Sequence, residues 1–179
     1  MENQDEILDS DFLVTAQNAE EQKIISLKKF IFLSIISFGL YKIWWIYKAW
    51  KFYQMKEKYD IKPAVRTIFS IFYLNSLFNK ILYFAKEKGY NGNYSSVLLF
   101  IGFIIGNLLA NLPAPFGFVS LLDFIFLIPP FKALNFVRQN SSDFIVNEQT
   151  SFNNRQIALI IIGAIFWVLV LIGLTVQEV

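Results

Sequence analysis

One acid stands inside an apolar run of this chain: Asp123, between Leu122 and Phe124. A charged carboxylate near the centre of a hydrocarbon layer costs roughly 2.5–3.5 kcal/mol on insertion scales, so an acid in such a setting is a functional candidate by default. Counted outward from the turn residues Pro113-Ala114-Pro115, Asp123 falls level with Ile105 and within one helical turn of Asn107. The spacing predicts an Asp123–Asn107 contact across a hairpin. Two chemistries fit it: a structural hydrogen bond that holds the hairpin, or a proton or cation site on a polar path. Lys80, with Asn75 and Asn79 beside it, is the third polar candidate, either lining the same path or forming the wet side of an interfacial helix.

Other chemistries are excluded by residue type. The chain has no Cys and no His. Disulfides, thiol nucleophiles, imidazole bases and the usual zinc and haem ligands are therefore absent. No phosphate-binding loop, nucleophile elbow or dinucleotide fingerprint is present, and Asp123 has no second intramembrane carboxylate to pair with. The sequence predicts a non-enzymatic protein without metal or cofactor.

The elements that must hold these residues are apolar helices. Hydrophobic residues make up 55% of the 179 and charged residues 17%, against about 25% charged in soluble domains. Lipid is the solvent this composition suits. The expected class is all-α: an integral membrane helical bundle with four or five membrane segments and an amphipathic helix over 66–87. Residues 1–24 read as a disordered acidic tail and 25–177 as the membrane domain. A first apolar run over 27–50 can span, or can break at Gly39 into a re-entrant piece and an interfacial helix. Within 63–88, Arg66, Ser70, Tyr73, Ser76, Lys80, Tyr83 and Glu87 recur at three- and four-residue spacing, one polar stripe on a helix. Gly89 fits its C-cap and Ser95 or Ser96 the next N-cap. Runs 97–112 and 116–137 form a helical hairpin in which Gly102 and Gly106 allow close approach. The segment 138–156 reads as a polar loop, and 156–176 as the surest span.

Loop charge bears on orientation. If the amphipathic segment does not cross, thirteen basic residues share one side and three, Lys23, Lys28 and Lys29, hold the other. The positive-inside bias then gives four crossings with both termini outside. If it crosses, the count is nine against seven and favours neither orientation. The re-entrant alternative at Gly39 leaves the N-terminus inside. Lys42, Lys48 and Lys51 are expected to extend toward water. Lys48, Lys51, Lys56, Lys58, Lys62 and Arg66 form a basic connector suited to anionic lipid headgroups, each worth about 1 kcal/mol near a charged leaflet. The bilayer is the expected partner; nucleic acid is not.

Ser37, Gly39, Tyr41, Trp44, Trp45, Tyr47 and Lys48 carry a Ser-x-Gly-Leu-Tyr-x-x-Trp-Trp-x-Tyr-Lys pattern. It resembles a motif of a bacterial multi-span membrane protein family of unknown function, over about residues 27–90. The resemblance implies a bacterial cytoplasmic-membrane protein and lends no activity. The function expected is that of an accessory or scaffold protein, for which Asp123→Asn is nearly silent. The alternative is a small transporter or channel subunit with Asp123, Asn107 and Lys80 in a polar path.

Overall fold

A computed structural model of the chain describes residues 20–57, 61–113, 116–141 and 144–176. The class is all-α as expected, with seven α-helices among the described residues. The order is β1 (Glu20–Ile24), α1 (Leu27–Ile36), α2 (Leu40–Glu57), α3 (Pro63–Ile68), α4 (Ser70–Glu87), α5 (Ser96–Leu108), α6 (Ile128–Gln139), β2 (Phe144–Glu148) and α7 (Asn154–Val176). Two 3-10 helices, Leu109–Asn111 and Phe116–Leu127, lie between α5 and α6.

The first apolar run is broken where Gly39 suggested. Ser37-Phe38-Gly39 reverses the chain, with Phe38 at φ 50° and Gly39 at φ 86°. The Gly39 amide donates to the Ser34 carbonyl (2.9 Å) and the Phe38 amide to that of Ile35 (3.1 Å). This pair of bonds closes α1 in a Schellman arrangement. Ser37 Oγ then accepts from the Tyr41 amide (3.0 Å) at the start of α2. The two helices fold back on each other: the Phe30 ring stacks on Phe131 at 4.5 Å and meets Trp45 edge-on at 5.8 Å.

The amphipathic segment is two helices, with a bend at Phe69 between α3 and α4. Leu74, Leu77, Phe78, Ile81 and Ala85 are the face α4 buries, against α5 and α6. Gly89, at φ 86°, ends α4 as a left-handed cap, with the Tyr90 amide reaching the Ala85 carbonyl at 2.9 Å. Ser95 caps α5. Tyr94 ties the intervening loop to α4 by donating to the Phe78 carbonyl (2.9 Å), and burial pushes its phenol pKa up.

The expected hairpin forms, α5 packing on the segment 116–127. A Cβ on Gly106 would stand 2.6 Å from that of Asp123, and one on Gly102 would overlap the Phe126 ring. The returning strand of the hairpin differs from an ordinary helix. Twelve residues of 3-10 geometry are long for that form, and they give way to α-helix at Pro129-Pro130, where prolines occupy the first helical turn.

Two expectations are corrected by the small sheet. Residues 20–24, expected in a disordered tail, and residues 144–148, expected in the loop 138–156, form β1 and β2, which pair in parallel with Gln22 opposite Val146. Residues 1–19 lie outside the described chain. The ladder sets residues 20–24 beside residues 144–148; the four or five membrane segments expected are not shown. Lys29 ties the same end together by donating to the Gln149 carbonyl (2.6 Å) and to that of Thr150.

Among the described residues, two helical segments are long and apolar enough to cross a membrane, Phe116–Gln139 and Asn154–Thr175, with mean hydropathy 1.6 and 3.1. Only 6% of the second is buried, which is the reverse of a core helix in a soluble protein. It sits closely on α1 at Gly163, where a Cβ would overlap the Ile36 carbonyl. We predict that Gly163→Val lowers thermal stability in detergent by several degrees, whereas Gly173→Val, which meets nothing within 4 Å, leaves it unchanged; equal melting of the two variants would contradict the packing.

Candidate functional site

Asp123 is reached from two directions. Asn107 Nδ2 donates to Asp123 Oδ2 at 2.7 Å and to the Phe103 carbonyl at 2.8 Å, so the contact expected across the hairpin is present. The second partner was not foreseen. Lys42 Nζ forms an ion pair with Asp123 Oδ1, and the two side chains are 8% and 1% exposed. Lys42 therefore does not extend to water, as its place near an expected helix end implied. Its ammonium also lies 5.8 Å from the centre of the Phe103 ring.

Two glycines make room for this pair. A Cβ on Gly39 would stand 2.6 Å from Lys42 Cε and 2.9 Å from its Nζ, while Gly106 admits the Asp123 side chain. The left-handed backbone at Gly39 thus serves both the chain reversal and the path of the lysine. Two side chains of opposite charge and one amide meet at the spot.

Lys80 stands apart from Asp123. It pairs with Glu57 at 2.5 Å, each about a quarter exposed, and its ammonium is 5.5 Å from the Tyr53 ring. The expected trio of Asp123, Asn107 and Lys80 is corrected to Asp123, Asn107 and Lys42.

The basic connector divides. Arg66 lies over Trp50 (4.5 Å) and Tyr73 (5.4 Å), and Lys56 over Phe84 (4.7 Å). Lys62 is exposed, and Lys58 lies outside the described residues. Lys48 and Lys51 instead line a cavity of about 510 Å³ between α2, α6 and the start of α7. Tyr41, Trp44, Trp45, Lys48, Lys51 and Met55, at three- and four-residue spacing on α2, form one of its walls. Arg138 from α6 and Gln156 from α7 line the same cavity. Gln156 Nε2 donates to the Tyr41 hydroxyl at 3.2 Å and its Oε1 accepts from the Asn153 amide at 3.0 Å. A second groove, about 760 Å³, shares Tyr41, Trp44, Lys48 and Gln156 and continues to Leu40 and Leu159.

The α2 wall was legible as helical spacing within the aromatic motif. Arg138 and Gln156 were not, because residues more than eighty positions away carry no local signal of arriving there. No family model, no curated protein and no solved structure matches the chain.

The ion pair generates a prediction that revises the near-silent Asp123→Asn. That substitution strands a buried ammonium and should lower unfolding stability by about 3–5 kcal/mol, whereas joint replacement of the pair by Lys42→Met and Asp123→Leu recovers most of the loss. Tryptophan fluorescence during detergent-induced unfolding measures both; a single variant as stable as the unsubstituted protein would show that the pair contributes nothing.

Proposed function

We propose that this chain is a non-enzymatic accessory or scaffold protein of the bacterial cytoplasmic membrane, crossing the bilayer once through α7. Five segments enter the membrane: α1, α2, α5, residues 116–139 and α7. The first four form two hairpins that enter from the cytoplasmic side and return to it. The parallel pairing of β1 with β2, on either side of those hairpins in sequence, carries this reading.

Dimensions support it. Ten residues make α1 about 15 Å long. Its end meets Gly163, nine residues into α7, or about 14 Å along the crossing helix. A hydrocarbon core is about 30 Å thick, so the reversal at Ser37-Phe38-Gly39 comes at mid-bilayer. The second hairpin reaches the same level of α7, since Phe118 and Phe38 both stack on Trp167, at 6.4 Å and 4.8 Å. Charge supports the orientation: all sixteen basic residues precede Gln156, and Glu178 is the only charged side chain after it. The positive-inside rule then sets both hairpins on the cytoplasmic leaflet and the C-terminus outside. Around the α3–α4 bend, Ile68, Phe69, Ile71 and Phe72 are exposed, an apolar edge suited to the headgroup boundary. The motif resemblance agrees with a bacterial membrane and supplies no activity.

A transporter or channel subunit is the second reading, and the buried Asp123–Asn107 contact is what favours it. It ranks lower because Lys42 already neutralises the carboxylate.

The chain has no cysteine, so single introduced thiols report sidedness. Thiols at Lys28, Asn93 and Ser151 should stay protected from an impermeant reagent until intact cells are opened, and one at Glu178 should label at once. Labelling of Lys28 from outside, with Ser151 protected, would restore a first run that crosses and remove the reading proposed here.

A further inference from the structure

We propose that the cavity between α2, α6 and α7 binds the phosphate group of an amphiphile, whose hydrocarbon leaves along Leu40 and Leu159. Arg138 is 6% exposed, and its Nε–H has no acceptor. The guanidinium rests over the Phe52 ring at 5.2 Å, which stabilises its face but leaves that donor unused. Trp45, 4% exposed, lines the same cavity with its indole N–H also lacking an acceptor. Among the described residues no carboxylate lines either the cavity or the groove that continues it. A buried cation and a buried N–H that line one cavity, with no carboxylate among its described lining residues, suit a group that is negative and accepts only.

Phosphate fits better than a carboxylate. The donor-bearing residues of the lining come from different elements, Trp45 and Lys48 on α2 and Arg138 on α6, and a tetrahedral group offers oxygens in several directions at once. Lys51 adds charge on the same wall. The adjoining groove supplies the rest of an amphiphile: it shares Trp44 and Lys48 with the cavity and becomes apolar at Leu40, the first residue of α2 after the mid-bilayer turn. A cavity of about 510 Å³ lies within the range of about 300–1,000 Å³ common to small-molecule sites. The site lies along the aromatic motif, whose Tyr41, Trp44, Trp45 and Lys48 all line it.

The lipid source rests on the membrane placement proposed above. Binding is measured in neutral detergent, where sidedness plays no part, so failure of binding and failure of topology are separate results. The full chain is titrated with dioleoyl phosphatidate, dioleoyl phosphatidylcholine and inorganic phosphate, and adducts are counted by native mass spectrometry. One phosphatidate should bind in preference to phosphatidylcholine and resist millimolar inorganic phosphate. Arg138→Gln should weaken it at least about tenfold, the loss of one charge-assisted hydrogen bond. Lys48→Gln should weaken it as well, and exposed Lys86→Gln should not. If Arg138→Gln does not yield folded protein, joint substitution of Lys48 and Lys51 by Gln decides the matter. Displacement by inorganic phosphate would assign the site to free phosphate and overturn the amphiphile. Equal binding of the two lipids, or affinity indifferent to the cavity substitutions, would overturn the site altogether.

Discussion

A helix that stops inside hydrocarbon leaves amide and carbonyl groups with no water to satisfy them. On the proposed membrane placement, the reversal at Ser37-Phe38-Gly39 answers that constraint locally. The Schellman bonds occupy the Ser34 and Ile35 carbonyls, and the Ser37 hydroxyl takes up the Tyr41 amide. The arrangement has a strained member: Phe38, not a glycine, sits at the left-handed position, a conformation that costs about 1–2 kcal/mol for a residue with a Cβ. Its ring stacks on Trp167 at 4.8 Å and meets Phe166 edge-on, so packing against α7 offsets the backbone cost.

The polar interior follows from the same turn. Because Gly39 carries no side chain, the stem of Lys42 can pass the turn and reach Asp123. A lysine and an aspartate eighty-one positions apart are each costly alone in an apolar interior and tolerable together. The pair joins the first hairpin to the second, and Asn107 fixes the second carboxylate oxygen within the hairpin. What reads in isolation as a lone acid in an apolar run is a strut between two hairpins. A strut of this kind supports the proposed scaffold over a conducting path, since Lys42 already pairs with the carboxylate.

Much of this was legible in the chain. Gly39, Gly89 and Ser95 announce their turns and caps by residue type, and the Gly102/Gly106 spacing announces the close approach that brings Asn107 to Asp123. The stripe over 66–87 announces a helix with two faces, though not the bend at Phe69, which no proline or glycine marks. Three features were beyond local reading. The β1–β2 pairing joins two five-residue segments, Glu-Glu-Gln-Lys-Ile and Phe-Ile-Val-Asn-Glu, that carry no alternating apolar pattern. Lys42 looked like an interfacial lysine because its neighbours Trp44, Trp45 and Tyr47 are headgroup residues, and only the chain reversal turns it inward. The 3-10 geometry of 116–127 rises about 2.0 Å per residue rather than about 1.5 Å, so counting by α-helical turns located Asp123 only approximately.

The central claim is that the first apolar run turns back at Gly39 instead of continuing. A spin-label distance between cysteines at Lys28 and Lys51 tests it in reconstituted bilayers. An unbroken helix holds these positions about 35 Å apart, and the folded-back arrangement should hold them within about 25 Å. A single narrow distribution at the shorter distance, lengthening when Gly39 is replaced by Leu, is the expected result. A distribution centred at the longer distance in the unsubstituted chain would contradict the re-entrant hairpin, and with it the side on which the sheet and both hairpins are assigned.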